Sequence, residues 1–346
     1  MSQDIVGKKS LYGLTLSEIS SIVKEEGLPN FAAKQITEWL YKKDIESIDE
    51  MTNLSLKSRE QLKEKYTYGL TPSIKVMESV DGTKKYLFRT ETNNYIEAAY
   101  LPETDRATLC VSTQAGCKMG CLFCMTGKQG FQANLTPNEI LNQLRSISEF
   151  RTVSNLVYMG MGEPFDNLDN VLSSLEIITS EWGYAWSPKR ITVSSIGIIP
   201  AMQAFLERSN CHLAISLHNP FDDERRQMMP IQYVYPIQKV ISEIKKAGLG
   251  RQQRVSFEYI MFDGINDTDR HIKEMVKILG GLKCRVNLIR FHSIPDTPLS
   301  GTPDVRIIEF RNALTAKGVF TTIRASRGLD IQAACGLLST KEMVKK

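Results

Sequence analysis

What this chain lacks sets its first bounds. Across 346 residues, no uninterrupted apolar run approaches the roughly 20 residues that cross a bilayer. The opening Met1-Ser2-Gln3-Asp4-Ile5 carries neither the basic nor the apolar region of a secretory signal, so a cytosolic location without membrane association is expected. Net charge is small. A formal +4 permits an RNA partner without demanding one, because phosphate binding depends on where charge sits. No internal repeat or low-complexity segment competes with a globular reading, and hydrophobic content of 42% with 24% charged residues suits a soluble fold. Cysteines are few and odd in number: seven, with no export signal, argue against a disulfide scaffold and for metal binding or redox catalysis.

The length suits one large domain plus a smaller one. Residues 1–72 read as helical: Thr15-Leu16-Ser17-Glu18 is a capping box, and Phe31, Ile36, Trp39, Leu40 and Ile45 recur at roughly helical spacing. Residues 73–104 read as antiparallel β, with strand-like runs at Ile74 to Met77, Lys85 to Arg89 and Tyr95 to Tyr100 separated by Asp81-Gly82 and Asn93-Asn94. From 105 to 346 apolar strands alternate with helical stretches: 107–113, 154–159, 190–195, 212–217, 255–261, 285–290 and 319–325. Such alternation makes a parallel α/β sheet or barrel. Unusual residues then fall at the carboxyl ends of those strands, where α/β barrels place their sites: the Cys117 loop, Gly160-Met161-Gly162-Glu163-Pro164, Ser194-Ser195, Ser216-Leu217-His218 and His292-Ser293.

The most specific pattern is Gly116-Cys117-Lys118-Met119-Gly120-Cys121-Leu122-Phe123-Cys124. Three thiolates are one ligand short of a closed tetrahedral zinc site, whereas a four-iron cluster held by three cysteines keeps one iron open. Gly116 and Gly120 allow close backbone approach. The alternative is a zinc loop completed by a remote His or Cys. Glu97, in the apolar run Tyr95-Ile96-Glu97-Ala98-Ala99-Tyr100, is costly to bury unpaired; it either pairs with a basic residue or serves as a proton acceptor.

These features resemble the radical S-adenosylmethionine (SAM) enzymes. Cys117 to Leu135, Gly160 to Pro164, Ser216 to Pro220 and Ile331 to Gly336 together resemble the RlmN/Cfr family of RNA adenine methyltransferases, over nearly the whole chain. The resemblance implies a partial (β/α)6 barrel, with residues 1–72 as an RNA-binding accessory domain. It implies that Cys117, Cys121 and Cys124 ligate a 4Fe-4S cluster whose open iron holds the amino and carboxylate groups of SAM, with two SAM used per turnover. Cys335 matches the family's methyl-carrying cysteine, Cys110 its resolving cysteine and Glu97 its proposed base. Cys211 and Cys284 match nothing and read as buried hydrophobes.

Gly162, Glu163, Ser194, Ser216, Leu217 and His218 match SAM-contacting positions, the carboxylate suited to an ammonium. His292 departs from the family's usual Asn, keeping hydrogen-bonding capacity with altered pH sensitivity. The implied reaction is methylation of adenosine C2 in 23S ribosomal RNA and tRNA, through a transient protein–RNA bond. Pro164 and the Gly127 to Phe131 stretch resemble that branch more than the C8-methylating one. A noncatalytic metal-containing RNA-binding module is the alternative of another class. A monomer served by a flavodoxin or ferredoxin is expected, with Arg251, Arg254, Arg324 and Arg327 as candidates for RNA contact.

Overall fold

Alternating side-chain faces between Lys75 and Ile323 build one ten-stranded sheet whose spatial order follows the chain. The computed structural model describes residues 7–248 and 253–340; Met1 to Ile5 and Arg251 lie outside the described residues. The strands are β1 (Lys75–Glu78), β2 (Lys84–Arg89), β3 (Tyr95–Pro102), β4 (Ala107–Cys110), β5 (Asn155–Tyr158), β6 (Ile191–Ser195), β7 (His212–Ser216), β8 (Val255–Met261), β9 (Cys284–Arg290) and β10 (Thr321–Ile323). Strands β4 to β10 are all parallel, which requires a crossover between each pair. Helices supply it: α4 (Met125–Gln129) and α5 (Pro137–Arg145), α6 (Leu168–Thr179), α7 (Ile199–Arg208), α8 (Asp222–Met228) and α9 (Ile237–Ala247), α10 (Asp269–Leu279), and α11 (Asp304–Ala316). Six strand–helix units and a closing strand thus form a partial barrel, with β10 and β1 as the free edges.

The three antiparallel strands are continuous with this sheet. In the β3–β4 pair Ala99 lies opposite Cys110, and Glu97, two residues from Ala99, shares their face. Three helices precede the sheet, numbered apart as N1 (Leu16–Glu25), N2 (Ala32–Lys42) and N3 (Leu56–Lys65). N1 starts as the capping box requires: Thr15 Oγ1 accepts from Glu18 N (3.3 Å) and Glu18 Oε2 accepts from Thr15 N (2.7 Å). Ile36, Leu40 and Ile45 are buried as expected, but Phe31 is 65% exposed.

These helices share one buried core with the barrel, running from Leu11 and Ile36 to Val193, Phe257 and Leu288. Polar contacts seal the join. Asn138 Nδ2, in the first turn of α5, donates to Ser10 Oγ, Tyr12 O and Gly69 O, each at 2.9 Å. Gly13 is needed there, since a Cβ would come within 2.4 Å of Asn138 N.

Candidate active site

The cysteine loop is drawn tight at its base. Gln114–Ala115 pairs with Ala133–Asn134, Cys117 N donates to Gly130 O (3.2 Å), and Gly116 has φ +70 with a would-be Cβ 1.7 Å from that carbonyl. Only glycine fits. Gly120 also has positive φ, but its would-be Cβ meets nothing nearer than 3.9 Å, so conformation rather than crowding selects it.

Burial raises the Cys117 thiol to about 12 and pushes Cys121 well above its ordinary value; Cys124 adds to both elevations and Cys117 adds to that of Cys121. The three sulfurs therefore converge, yet among the described residues no three His, Cys, Asp or Glu side chains form a site for a single ion. Tetrahedral zinc at about 2.3 Å from each sulfur would draw the thiolates to about 3.8 Å from one another; a four-iron cube spreads them over separate corners. The donor set fits the cube, and metal binding supplies the driving force to deprotonate such elevated thiols.

Arg225, which sequence reasoning missed, is wholly buried behind the loop. Its guanidinium donates to Leu217 O (3.0 Å), Ser216 O (2.9 Å) and Ile196 O (3.4 Å). Burial lowers it to about 10, and Cys121 is first among the groups that raise it. A buried cation with carbonyl partners suits an anionic neighbour.

Glu163 ends the turn after β5. Its Oε1 accepts from Phe165 N (3.1 Å) and its Oε2 from Ile196 N (3.1 Å), and burial raises it to about 7 despite these bonds. Its backbone partners are neutral N–H donors, so an amino group of a ligand would find an acceptor here. Gln114, also missed, aims the turn by accepting from Glu163 N (2.9 Å) and donating to Asp166 Oδ2 (2.8 Å). Gly162 has a structural reason of its own: at φ +95 a Cβ would lie 2.4 Å from Gln114 Cβ.

At the end of β7 the Leu217 side chain is core. His218 is buried with φ +51; its Nδ1 accepts from Ile260 N (3.0 Å). Burial, then Arg225, lowers it to about 3, leaving a neutral ring edge-on to Phe123 of the cysteine loop. Ser194 and Ser216 are partly exposed near the strand ends.

A cavity of about 1480 Å³ runs along the inner face of the barrel. Cys110, Cys124, His292 and Cys335 line it; Cys117, Cys121, Gly162, Glu163, Ser194, Ser216, Leu217, His218 and Glu97 are not among its lining residues. All seven cysteines are free. Cys335 is exposed, and Cys110 is buried against Ala99, Ile331 and Ala333, so the carboxyl-terminal segment packs on the β3–β4 face. Burial, then Cys335, raises Cys110 to about 12. Arg324 sits beside both sulfurs, held by Glu258 at 3.4 Å. His292 Nε2 meets Ser326 Oγ at 2.8 Å, and burial followed by Arg290 lowers its pKa.

Glu97 is paired, as an apolar strand requires: Oε1 lies 3.0 Å from Lys85 Nζ and Oε2 accepts from Ser339 N (3.0 Å). Burial still raises it, Lys85 opposing. Cys211 is buried as expected, but Cys284 is only half-buried at the amino end of β9.

Comparison with known proteins gives this geometry a lineage. Residues 111–277 match the radical SAM superfamily, and residues 9–67 match the ribosomal RNA large subunit methyltransferase N-terminal domain. The chain is 58% identical to a probable dual-specificity RNA methyltransferase RlmN of Phocaeicola vulgatus, covering 98% of this chain and 97% of that one. It is 40% identical to the dual-specificity RNA methyltransferase RlmN of Syntrophus aciditrophicus, over 96% and 97%. A crystal structure of a radical SAM methyltransferase from Sphaerobacter thermophilus superposes with a TM-score of 0.88 at 38% identity, over 95% and 99%. A 4Fe-4S cluster and SAM are the cofactors of such enzymes. Full-length identity at this level shows that the chain belongs to the RlmN family of radical SAM RNA methyltransferases.

Proposed function

We propose that this enzyme methylates C2 of adenosine in 23S ribosomal RNA and in the anticodon region of tRNA, using Cys335 as methyl carrier. The observation that carries the reading is that Cys335 and Cys110 line one cavity with Cys124 of the cysteine loop. Cys117, Cys121 and Cys124 would hold the cluster, and Glu163 would accept a hydrogen bond from the SAM amino group at the end of β5. Bound together, cluster and SAM supply a 5'-deoxyadenosyl radical, the chemistry needed because an adenine C–H is too weak a nucleophile for direct transfer.

Cys335 would first take a methyl group from one SAM, losing its thiol proton, and the methyl so held would then be open to hydrogen abstraction with the second SAM. The radical carbon so formed would bond to the adenine ring, and the one electron that the adduct must lose along with the ring proton would pass to the cluster as acceptor. Glu97, raised by burial, accepts the ring proton. Cys110 attacks the Cys335 sulfur, forming a disulfide and releasing the methylated base, and reduction restores both thiols. A flavodoxin or ferredoxin supplies electrons to a monomeric enzyme in the cytoplasm. Mass spectrometry of digested 23S RNA and tRNA after reaction tests this. The expected product is 2-methyladenosine in both; 8-methyladenosine alone would assign the enzyme to the C8 chemistry.

A further inference from the structure

We propose that the amino-terminal mouth of the barrel grips the single-stranded RNA flanking the target adenosine, through Lys189, Arg190, Arg254, Lys283 and Arg285. This rests on the RNA-methylation reading and adds a location that the carboxyl-end site does not supply. Lys189 and Arg190 precede β6, Arg254 precedes β8, and Lys283 and Arg285 flank the start of β9. All five are exposed, and all line the cavity that reaches Cys110 and Cys335.

Charge at this mouth is unbalanced. Nine cations line the cavity against one carboxylate among the described residues, Glu103. Glu103 is taken by Arg106 at 2.9 Å, and that turn also carries the exposed Asp105. None of the five proposed cations forms an ion pair with a described residue, unlike Arg290 and Arg324 further up, which face Asp304 and Glu258. Their field converges: His212, whose Nδ1 accepts from Arg254 N (3.2 Å), is lowered first by burial and then by Arg254, Lys189 and Arg285. A polyanion relieves such mutual repulsion.

The same rim offers an aromatic platform. Phe320 is 54% exposed, with the Arg285 guanidinium 4.9 Å from its ring centroid. Cations that track a backbone beside a ring on which a base stacks are the usual means of holding a single strand. Reach is adequate: Phe320 and Arg324 bracket β10, so about 13 Å of strand rise separates the platform from the guanidinium beside Cys335. Thr108, Asn155, Thr192, Ser256, Asn287 and Thr322 line the intervening cavity, polar groups that accommodate a nucleotide. A folded acidic protein would meet the rim but make no use of this interior.

The test is equilibrium binding of a substrate RNA stem-loop to the cluster-loaded full chain across a salt series. Lys189→Gln/Arg190→Gln, Arg254→Gln and Lys283→Gln/Arg285→Gln are compared singly and combined. Each lost phosphate contact lowers the slope of log K against log salt by about 0.7, and the combined variant binds at least tenfold more weakly at low salt. Phe320→Ala weakens binding about tenfold with the slope unchanged. SAM-dependent methylation of Cys335 without RNA, read by intact-protein mass, continues in every variant and reports an intact fold. Unchanged RNA affinity and slope would overturn the proposal, as would unchanged RNA binding with slowed reduction by an acidic electron donor. RNA methylation by the unaltered protein is scored on the same stem-loop, so failure of the parent reading is seen separately from failure at the mouth.

Discussion

Glu163 illustrates how one buried carboxylate sets a condition on its ligand. Its backbone partners do not offset burial, so its pKa rises from an ordinary 4.5 to about 7. Between those values the folded state binds more protons than the unfolded one, so its contribution to stability falls as pH rises through that window, by on the order of 3 kcal/mol. A bound amino group that donates to the carboxylate favours the ionised form and opposes that loss. SAM affinity of the cluster-loaded enzyme is therefore expected to rise with pH up to about 7 and then level off. Glu163→Gln should flatten this dependence and weaken binding at least tenfold, as read by isothermal titration. An affinity that falls with pH across this range would remove Glu163 from the amino-group site.

Among the elements, those whose signals are local were legible in the sequence. Thr136-Pro137-Asn138-Glu139 has the pattern of a capping box, and α5 starts with one, with bonds of 3.2 and 2.9 Å and Pro137 in the first turn. Asn93 takes φ 64 in the expected turn. The cysteine loop was legible for the same reason, since its three cysteines lie within eight positions. What escaped is set by long-range register. Gln114 touches Glu163 only because β4 and β5 are neighbours. Lys85 reaches Glu97 because it pairs with Ala99 two residues along β3. Arg225 is buried by carbonyls from the ends of β6 and β7, a setting that nothing within Asp222 to Met228 announces. Asn138 joins distant segments in the same way. Asn138→Ala strands the Gly69 carbonyl and leaves Tyr12 O with Ser10 Oγ as its side-chain donor, at a cost of about 1–3 kcal/mol. Hydrogen exchange should speed up in helices N1 to N3 and not in the barrel; uniform acceleration would show that the helices and the barrel open as one unit.

At the scale of the whole molecule, a sheet that runs in chain order divides its unusual groups between the two ends of the barrel. Carboxyl ends carry the cysteine loop and Glu163, the β3–β4 hairpin brings Cys110 and Glu97 to one face, and the last residues of the chain return Cys335 to that face. Amino ends carry the basic mouth. This arrangement explains why two cysteines 225 positions apart in the chain open on the same space, which neither spacing nor hydrophobic pattern could reveal. The central claim is that Cys335 carries the methyl carbon and Cys110 frees the product. Its most direct test is mass spectrometry of the Cys110→Ala enzyme after reaction with SAM, reductant and substrate RNA. The expected result is RNA bonded to Cys335 through one added carbon, with no free methylated product accumulating; free 2-methyladenosine formed at the unaltered rate, with no adduct, would contradict it.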